Sequence, residues 1–465
     1  MSNFDELRYP FGSLLEFLRG GYFTERAGLH LTIALILFGI LSVHVLMGRG
    51  PLVQRLITLF FAGSVYNNPV FTIVGGLHVN EIAGSLAALW ILLLMLGGLR
   101  MDVRRVGIPL LLGGLALFTH AALVSAFDTT LVPDNGTAIM RGVLVARIFV
   151  LGIIVIGMES LYRTREDFEV LMEAMVRFGV VAILIYFIQT GVFLSGTRPY
   201  GTYWDAGFTG IPSFGAVSIE RGHFGKFLIL LFPCFAWVAI KRRRWIPMLL
   251  FCLVTLVNFS ASSMSFLAGY VVITGVLLFR QVVRPSAVKW LIPAVAVGFI
   301  LVSRFGAQYG GLIEKIVSLG LHGDEGGGRS FSVLDAYLTA HPMGIGYSGS
   351  TLRNVGTLPQ INMGVYALAS QLSFLIIPIL AAFLWLNLRV IRESAWIGDR
   401  VVAGVLVAGM LMAVFIDLVD VLWFVPTIWA PMIICSGLAH LRRGSEMPAR
   451  ADMVLPTWHS PPATG

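Results

Sequence analysis

Basic residues stand where an apolar chain tends to avoid them. Arg198 and Arg221 lie in the connection 193–222, and Arg304, Lys315, Arg329 and Arg353 lie in the connection 304–363. A guanidinium keeps its charge and offers a planar fork that grips phosphate oxygens two at a time. Arg221 opens the stretch Arg221-Gly222-His223-Phe224-Gly225-Lys226, and Arg329 follows the run Gly326-Gly327-Gly328. Two such forks in a water-poor site would hold a pyrophosphate. They would also stabilise negative charge developing on such a group. The outer loops carry no DxD-like carboxylate pair, because Asp324 and Glu325 are adjacent and followed by glycines. Neither a metal nor a cofactor is expected.

Chemistry beside such a group would also call for an acid or base. His223, Glu220, Asp205, Asp335 and His341 are the candidates beside those arginines. Asp335, six residues after Arg329, also suits the role of orienting an arginine, and His341 suits a helix end ahead of Pro342. Lys226 either joins the cavity one turn beyond His223 or snorkels to the surface. Arg147, inside an apolar run, would face a cavity or a partner, as charges at membrane depth do, or contact a lipid phosphate. Tyr200, Tyr203 and Trp204 would stack on sugar rings or mark a membrane interface. His44, His120, Asp417 and Asp420 read as structural or interfacial.

The elements that must position these residues are apolar helices. The chain has 465 residues, 57% hydrophobic and 12% charged, with mean hydropathy +0.84. Soluble domains carry about 25% charged residues. A bilayer core of about 30 Å takes roughly 20 apolar residues per helix, and runs of that size recur along the whole chain. Their lack of strict alternation excludes a membrane β-barrel. The fold class expected is all-α: a polytopic integral membrane protein of about 12–13 transmembrane helices with a large extracytoplasmic helical loop. Spans are predicted at 29–48, 52–68, 81–98, 107–126, 142–158, 170–192, 223–240, 245–259, 263–280, 288–303, 364–388, 400–418 and 421–441. The chain then divides into an N-terminal segment 1–28, helices 29–192, an outer loop 193–222, central helices 223–303, a large outer loop 304–363, helices 364–441 and a tail 442–465.

Net charge is +8 and the isoelectric point about 9.6. Basic cytoplasmic loops account for that excess, and no nucleic-acid motif accompanies it. Six groups fall on one side of the predicted spans: Arg100, Arg104 and Arg105; Arg163 and Arg165; Lys241 to Arg244; Arg280, Arg284 and Lys289; Arg389, Arg392 and Arg400; and Arg442, Arg443 and Arg450. That side is expected to be the cytoplasm, with the N-terminus and both long loops outside. Cys234, Cys252 and Cys435 have neither disulfide nor zinc spacing. The first 28 residues do not read as a signal peptide.

Three stretches together resemble the O-antigen ligase and O-antigen polymerase superfamily. They are Ser218-Ile219-Glu220-Arg221-Gly222-His223-Phe224-Gly225 at the head of a span, Asn258-Phe259-Ser260-Ala261-Ser262-Ser263 two spans later, and Arg329 with the ending His341-Pro342-Met343-Gly344-Ile345-Gly346. The resemblance covers about residues 140–390. It implies a glycosyltransferase of the bacterial inner membrane, working at the periplasmic face on undecaprenyl-pyrophosphate-linked oligosaccharides. Arg221 and Arg329 match the arginines thought to hold the pyrophosphate, and His223, Glu220 and Asp335 are the candidate catalytic groups around them. Arg147, Arg198, Lys226, His341, Arg353, Tyr203 and Trp204 are the candidate substrate contacts. The implied partners are membrane lipid, a chain-length regulator and a flippase. Ligases place a histidine ahead of the span after the large loop, where this chain has Asn362. Asparagine is no general base, so polymerisation of repeat units for exopolysaccharide, capsule or O-antigen is the leading expectation. Transfer of glycan to lipid A core or protein is the second. A transporter or flippase is the alternative of another class, although midplane charges and paired broken helices are missing from the pattern.

Overall fold

A computed structural model describes residues 9–74, 77–98, 106–127, 135–201, 203–204, 213–219, 221–260, 331–345, 364–419 and 425–446. The predicted spans 263–280 and 288–303 lie outside them, as do Glu220, Arg329 and Arg353. Among the described residues about 80% are helical.

The helices are α1 (Leu14–Arg19), α2 (Leu29–Leu46), α3 (Leu52–Gly63), α4 (Val79–Leu96), α5 (Gly107–Phe127), α6 (Asn135–Leu161) and α7 (Arg165–Leu194). They continue with α8 (Arg221–Lys241), α9 (Ile246–Ser260), α10 (Phe331–Ala340), α11 (Gly364–Leu372), α12 (Ile376–Glu393), α13 (Arg400–Val419) and α14 (Pro426–Glu446). Among the described residues six stretches are long and apolar enough to cross a membrane: Arg26–Leu46, Val79–Leu96, Gly107–Val124, Arg165–Leu194, Gly222–Lys241 and Leu368–Ile397. Two small antiparallel hairpins complete the described part. β1 (Thr72–Val74) pairs with β2 (Leu77–His78), and β3 (Tyr203–Trp204) pairs with β4 (Ser213–Phe214), placing Tyr203 opposite Phe214.

Polar contacts sort the helix ends into two layers. In the first, Arg177 meets the His44 ring at 2.6 Å, and Gln54 donates to the Leu161 carbonyl at 2.9 Å. The Val106 N–H reaches Glu159 at 2.6 Å, and Arg242 bridges Glu169 at 3.2 Å and Glu173 at 3.0 Å. Lys241 pairs with Asp399, and Arg443 stands 3.9 Å from Glu393. These contacts bring the end of α2, the starts of α3, α5, α7 and α13, and the ends of α6, α8, α12 and α14 to one basic end of the bundle. The groups around Arg163, Lys241, Arg389 and Arg442 therefore share an end, as the alternation of spans requires.

Depth in the bundle follows from packing. In an 18-residue window of Gly222–Lys241, 89% of residues are buried, against 17% in such a window of Leu368–Ile397. Among the described residues α8 is thus a deeply buried helix, flanked by α7, α9 and α13. α12 is peripheral and turns Ile377, Leu384, Trp385 and Leu388 outward. Where apolar surface faces apolar lipid, close packing and internal hydrogen bonds hold helices together. Gly437 shows this locally, because a Cβ there would overlap the Phe168 ring.

Two spans differ from the expected continuous helices. The 52–68 stretch is helical only to Gly63, then turns through Tyr66-Asn67-Asn68 into a 3-10 turn at Pro69–Phe71. The 364–388 stretch breaks at Ser373–Leu375, where Ser373 holds φ +51°. Both breaks lie away from the basic layer.

Candidate functional site

Among the described residues, the end opposite the basic layer holds both small hairpins and the positive-φ residues Ala216, Gly344 and Ser373. The approach to α8 is tied down residue by residue. The Asn68 N–H donates to the Val217 carbonyl at 3.0 Å, and Ser218 Oγ donates to the Val65 carbonyl at 3.2 Å. The Ile219 N–H reaches Asn67 Oδ1 at 3.1 Å. Tyr9 Oη lies 3.4 Å from the Ser218 carbonyl, and burial pushes the Tyr9 phenol pKa well up, opposed in part by Asn68. Arg221 begins α8 directly after this anchored segment. Phe224, one turn further, stacks on Tyr186 with ring centroids 5.5 Å apart and planes 10° apart, both rings fully buried. His223 is half-buried with its ring 6.4 Å from that of Phe227, and Lys226 is buried one turn along from His223. The helix start and its neighbour stack thus fix the backbone that carries Arg221.

A second constellation surrounds the break in α11. A helix end leaves its last carbonyls without helical partners. Here the segment following α10 supplies partners: the Ile345 N–H donates to the Ser370 carbonyl at 2.9 Å, and Ser373 Oγ donates to the Pro342 carbonyl at 2.6 Å. His120 of α5 adds a third tie, its Nε2 standing 2.9 Å from the Met343 carbonyl. Gly344 adopts φ +80°, and a Cβ there would lie 2.8 Å from the Gln371 carbonyl carbon and closer still to its oxygen. The glycine of the Pro-Met-Gly element is thus required twice, for its backbone angle and for its approach. His341 ends α10 as the sequence suggests: its N–H donates to the Tyr337 carbonyl at 2.8 Å, and its side chain is buried. Asp335 is exposed on α10, while Leu334 and Tyr337 are buried.

Arg147 belongs to a third place. Its Nη2 donates to one Glu81 carboxylate oxygen at 3.1 Å and its Nε stands 2.5 Å from the other, so α6 grips α4 through an ion pair. Glu81 also accepts the His78 N–H at 2.9 Å, closing a capping box at the start of α4. Burial holds the His78 imidazole pKa below its usual value; Glu81 opposes that shift and Arg147 adds to it. The pair lines a cavity of about 90 Å³ together with Phe60, Leu77, Ser85 and Val150.

Of the remaining candidates, Arg198 is exposed in the turn past α7, and Tyr203 and Trp204 form β3. Arg221, His223 and Lys226 share one helix start, Asp335 lies on α10 with His341 directly after its end, and Arg147 pairs across α4 and α6. Glu81 and Gln189 are the polar residues that sequence reasoning passed over. Glu81 follows His78 at capping-box spacing, which would have flagged it had His78 been serine or threonine. Gln189 is a lone amide in an apolar run, a signal for an internal hydrogen bond.

No family model matches this chain, and no curated protein matches it. Fold and site define a class: an all-α protein with helices able to span a membrane, whose polar constellations gather at the end away from its basic layer.

Proposed function

We propose that this protein is a bacterial inner-membrane glycosyltransferase that polymerises undecaprenyl-pyrophosphate-linked oligosaccharide repeat units. The observation that carries the reading is the polarity of the bundle. Basic groups from four connections share one end, and Arg221 heads the deeply buried α8 at the other. Basic loops favour the cytoplasm, which would put Arg221 and the long loops at the periplasmic face.

In this mechanism the pyrophosphate of the growing chain sits on Arg221 and Arg329. The first-turn N–H groups of α8 point the same way as its positive dipole end and favour an anion there. A hydroxyl of the incoming lipid-linked unit attacks the anomeric carbon. The bond from that carbon to the pyrophosphate oxygen breaks, and undecaprenyl pyrophosphate departs with the electron pair. The hydroxyl proton goes to a base, for which His223, Glu220 and Asp335 are the candidates. Single displacement inverts the anomeric configuration. Arg198, Arg353, Lys226, His341, Tyr203 and Trp204 would contact the lipid-linked substrate around this centre. The rival role of a transporter, which needs no bond-breaking, is separated by the same test.

The test is deletion of the gene and complementation with Arg221→Ala and Arg329→Ala. Both variants should insert at wild-type levels and accumulate single lipid-linked repeat units. Full-length polymer from both would overturn the assignment.

A further inference from the structure

The connection between α7 and α8 leaves and returns past one side chain. Gln189 of α7 is fully buried. Its Nε2–H donates to the Tyr200 carbonyl at 3.0 Å, and its Oε1 accepts the Ala216 N–H at 2.9 Å. A buried amide in an apolar span is unfavourable unless its hydrogen bonds are made, and both of its ends are used here on main-chain groups. The backbone on each arm is shaped for this contact. Gly201 holds φ +112°, where a Cβ would stand 3.4 Å from Gln189 Nε2 and 2.6 Å from Tyr9 Oη. Ala216 holds φ +51°, a conformation an L-residue keeps only when its surroundings hold it.

What lies between and beyond the two arms gives the clasp its meaning. Between them is the β3–β4 hairpin with Tyr203 and Trp204. On the outgoing arm, the Tyr200 N–H donates to the Ala27 carbonyl at 3.1 Å, and the Tyr200 ring meets Phe11 and Tyr22 edge-on. Beyond the returning arm, Val217, Ser218 and Ile219 are bonded to Asn68, Val65 and Asn67 in the turn after α3, and Arg221 begins α8.

We infer that Gln189 is a positioning residue: it clasps both arms of this connection at their base and so fixes the aromatic hairpin relative to the Arg221 end of α8. The catalytic consequence rests on the glycan-transfer reading. A sugar held by the hairpin and a pyrophosphate held by Arg221 are parts of one substrate, so their holders must keep a fixed separation.

The experiment pairs two readouts in Gln189→Met, which keeps side-chain length and apolar packing. Hydrogen exchange on the purified protein compares amides 214–219 with amides 174–182 of α7 as an internal reference. Exchange at Ala216 should quicken at least tenfold with the reference unchanged, and polymer yield in the deletion host should fall at least tenfold at normal protein level. Gly201→Ala, which pushes on the same base from the Tyr200 side, should reproduce both effects and carries the test if Gln189→Met does not insert. Unchanged exchange at Ala216 would overturn the clasp. Faster exchange with full polymer would overturn the positioning role. Arg221→Ala in the same host then tells the two ideas apart. If it abolishes polymer, only the Gln189 inference has failed; if it too makes full polymer, the glycan-transfer reading has failed with it.

Discussion

Gly344→Ala should undock the segment after α10 from the broken helix. The added Cβ would sit 2.8 Å from the Gln371 carbonyl carbon, whereas non-bonded carbons rest at about 3.5 Å or more. Relief takes a shift of about 0.7 Å, against a backbone that cannot rotate away. Such a shift carries the Ile345–Ser370 and His120–Met343 contacts, both 2.9 Å now, past the length of a hydrogen bond. The Ser373–Pro342 bond at 2.6 Å is strained in the same movement. Three bonds at about 1 kcal/mol each, plus about 1 kcal/mol for an alanine at positive φ, give a local loss of about 4 kcal/mol. Gly21→Ala isolates the conformational part, since Gly21 has φ +71° and no atom within 4 Å of a built Cβ; it should lose only about 1 kcal/mol. The difference, about 3 kcal/mol, corresponds to roughly a hundredfold in local opening. Hydrogen exchange at Ile345 in detergent reads it directly. Protection at Ile345 that stays close to wild type in Gly344→Ala would refute the docking.

The Arg147–Glu81 pair, with side chains 17% and 15% exposed, should lose about 3 kcal/mol when either partner alone is removed. Thermal unfolding of Arg147→Ala, Glu81→Gln and the double variant checks this. The double variant should be less destabilised than the sum, and strict additivity would contradict the pairing. Burial alone would raise the Asp399 pKa, but hydrogen bonds from Lys241, Val402 and Val401 and the Lys241 charge lower it overall. Its contribution to stability is therefore complete above about pH 4 and fades as pH falls through the lowered pKa. The gap in melting temperature between wild type and Asp399→Asn should close on acidification, and a constant gap would contradict the pairing with Lys241. In the polymer assay Arg329→Lys should retain little activity, because an ammonium lacks the two-pronged fork; near-normal yield would mean that charge alone suffices.

The helices were legible because apolar length is a direct consequence of bilayer thickness. The shared end of the Arg163, Lys241, Arg389 and Arg442 groups followed from counting spans, and the contacts from Lys241 to Asp399 and from Arg242 to Glu169 gather those ends. Other features had little local signal. At the break, Ser370, Gln371 and Ser373 are modest polar interruptions of an apolar span, and the partner of that break lies about thirty residues earlier in the chain, in the segment around Gly344. Arg147 read as a charge seeking a cavity, a partner or a lipid phosphate, and Glu81 could not be named as its partner because it lies 66 residues away in a different span. The capping of α4 was hidden by His78 standing where serine or threonine would announce it. In the candidate site, the motif order pointed to the starts of α8 and α10, while the amide that ties the approach to α8 was visible only once Tyr200 and Ala216 were seen on either side of Gln189.

The most direct measurement uses the purified protein in liposomes, supplied with an undecaprenyl-pyrophosphate-linked repeat unit. Undecaprenyl pyrophosphate release is followed alongside glycan chain length. One lipid pyrophosphate released for each repeat unit added to a growing ladder, and neither product from Arg221→Ala, is the result expected. Repeat units that cross the bilayer still attached to their lipid, with no release and no chain growth, would contradict the account.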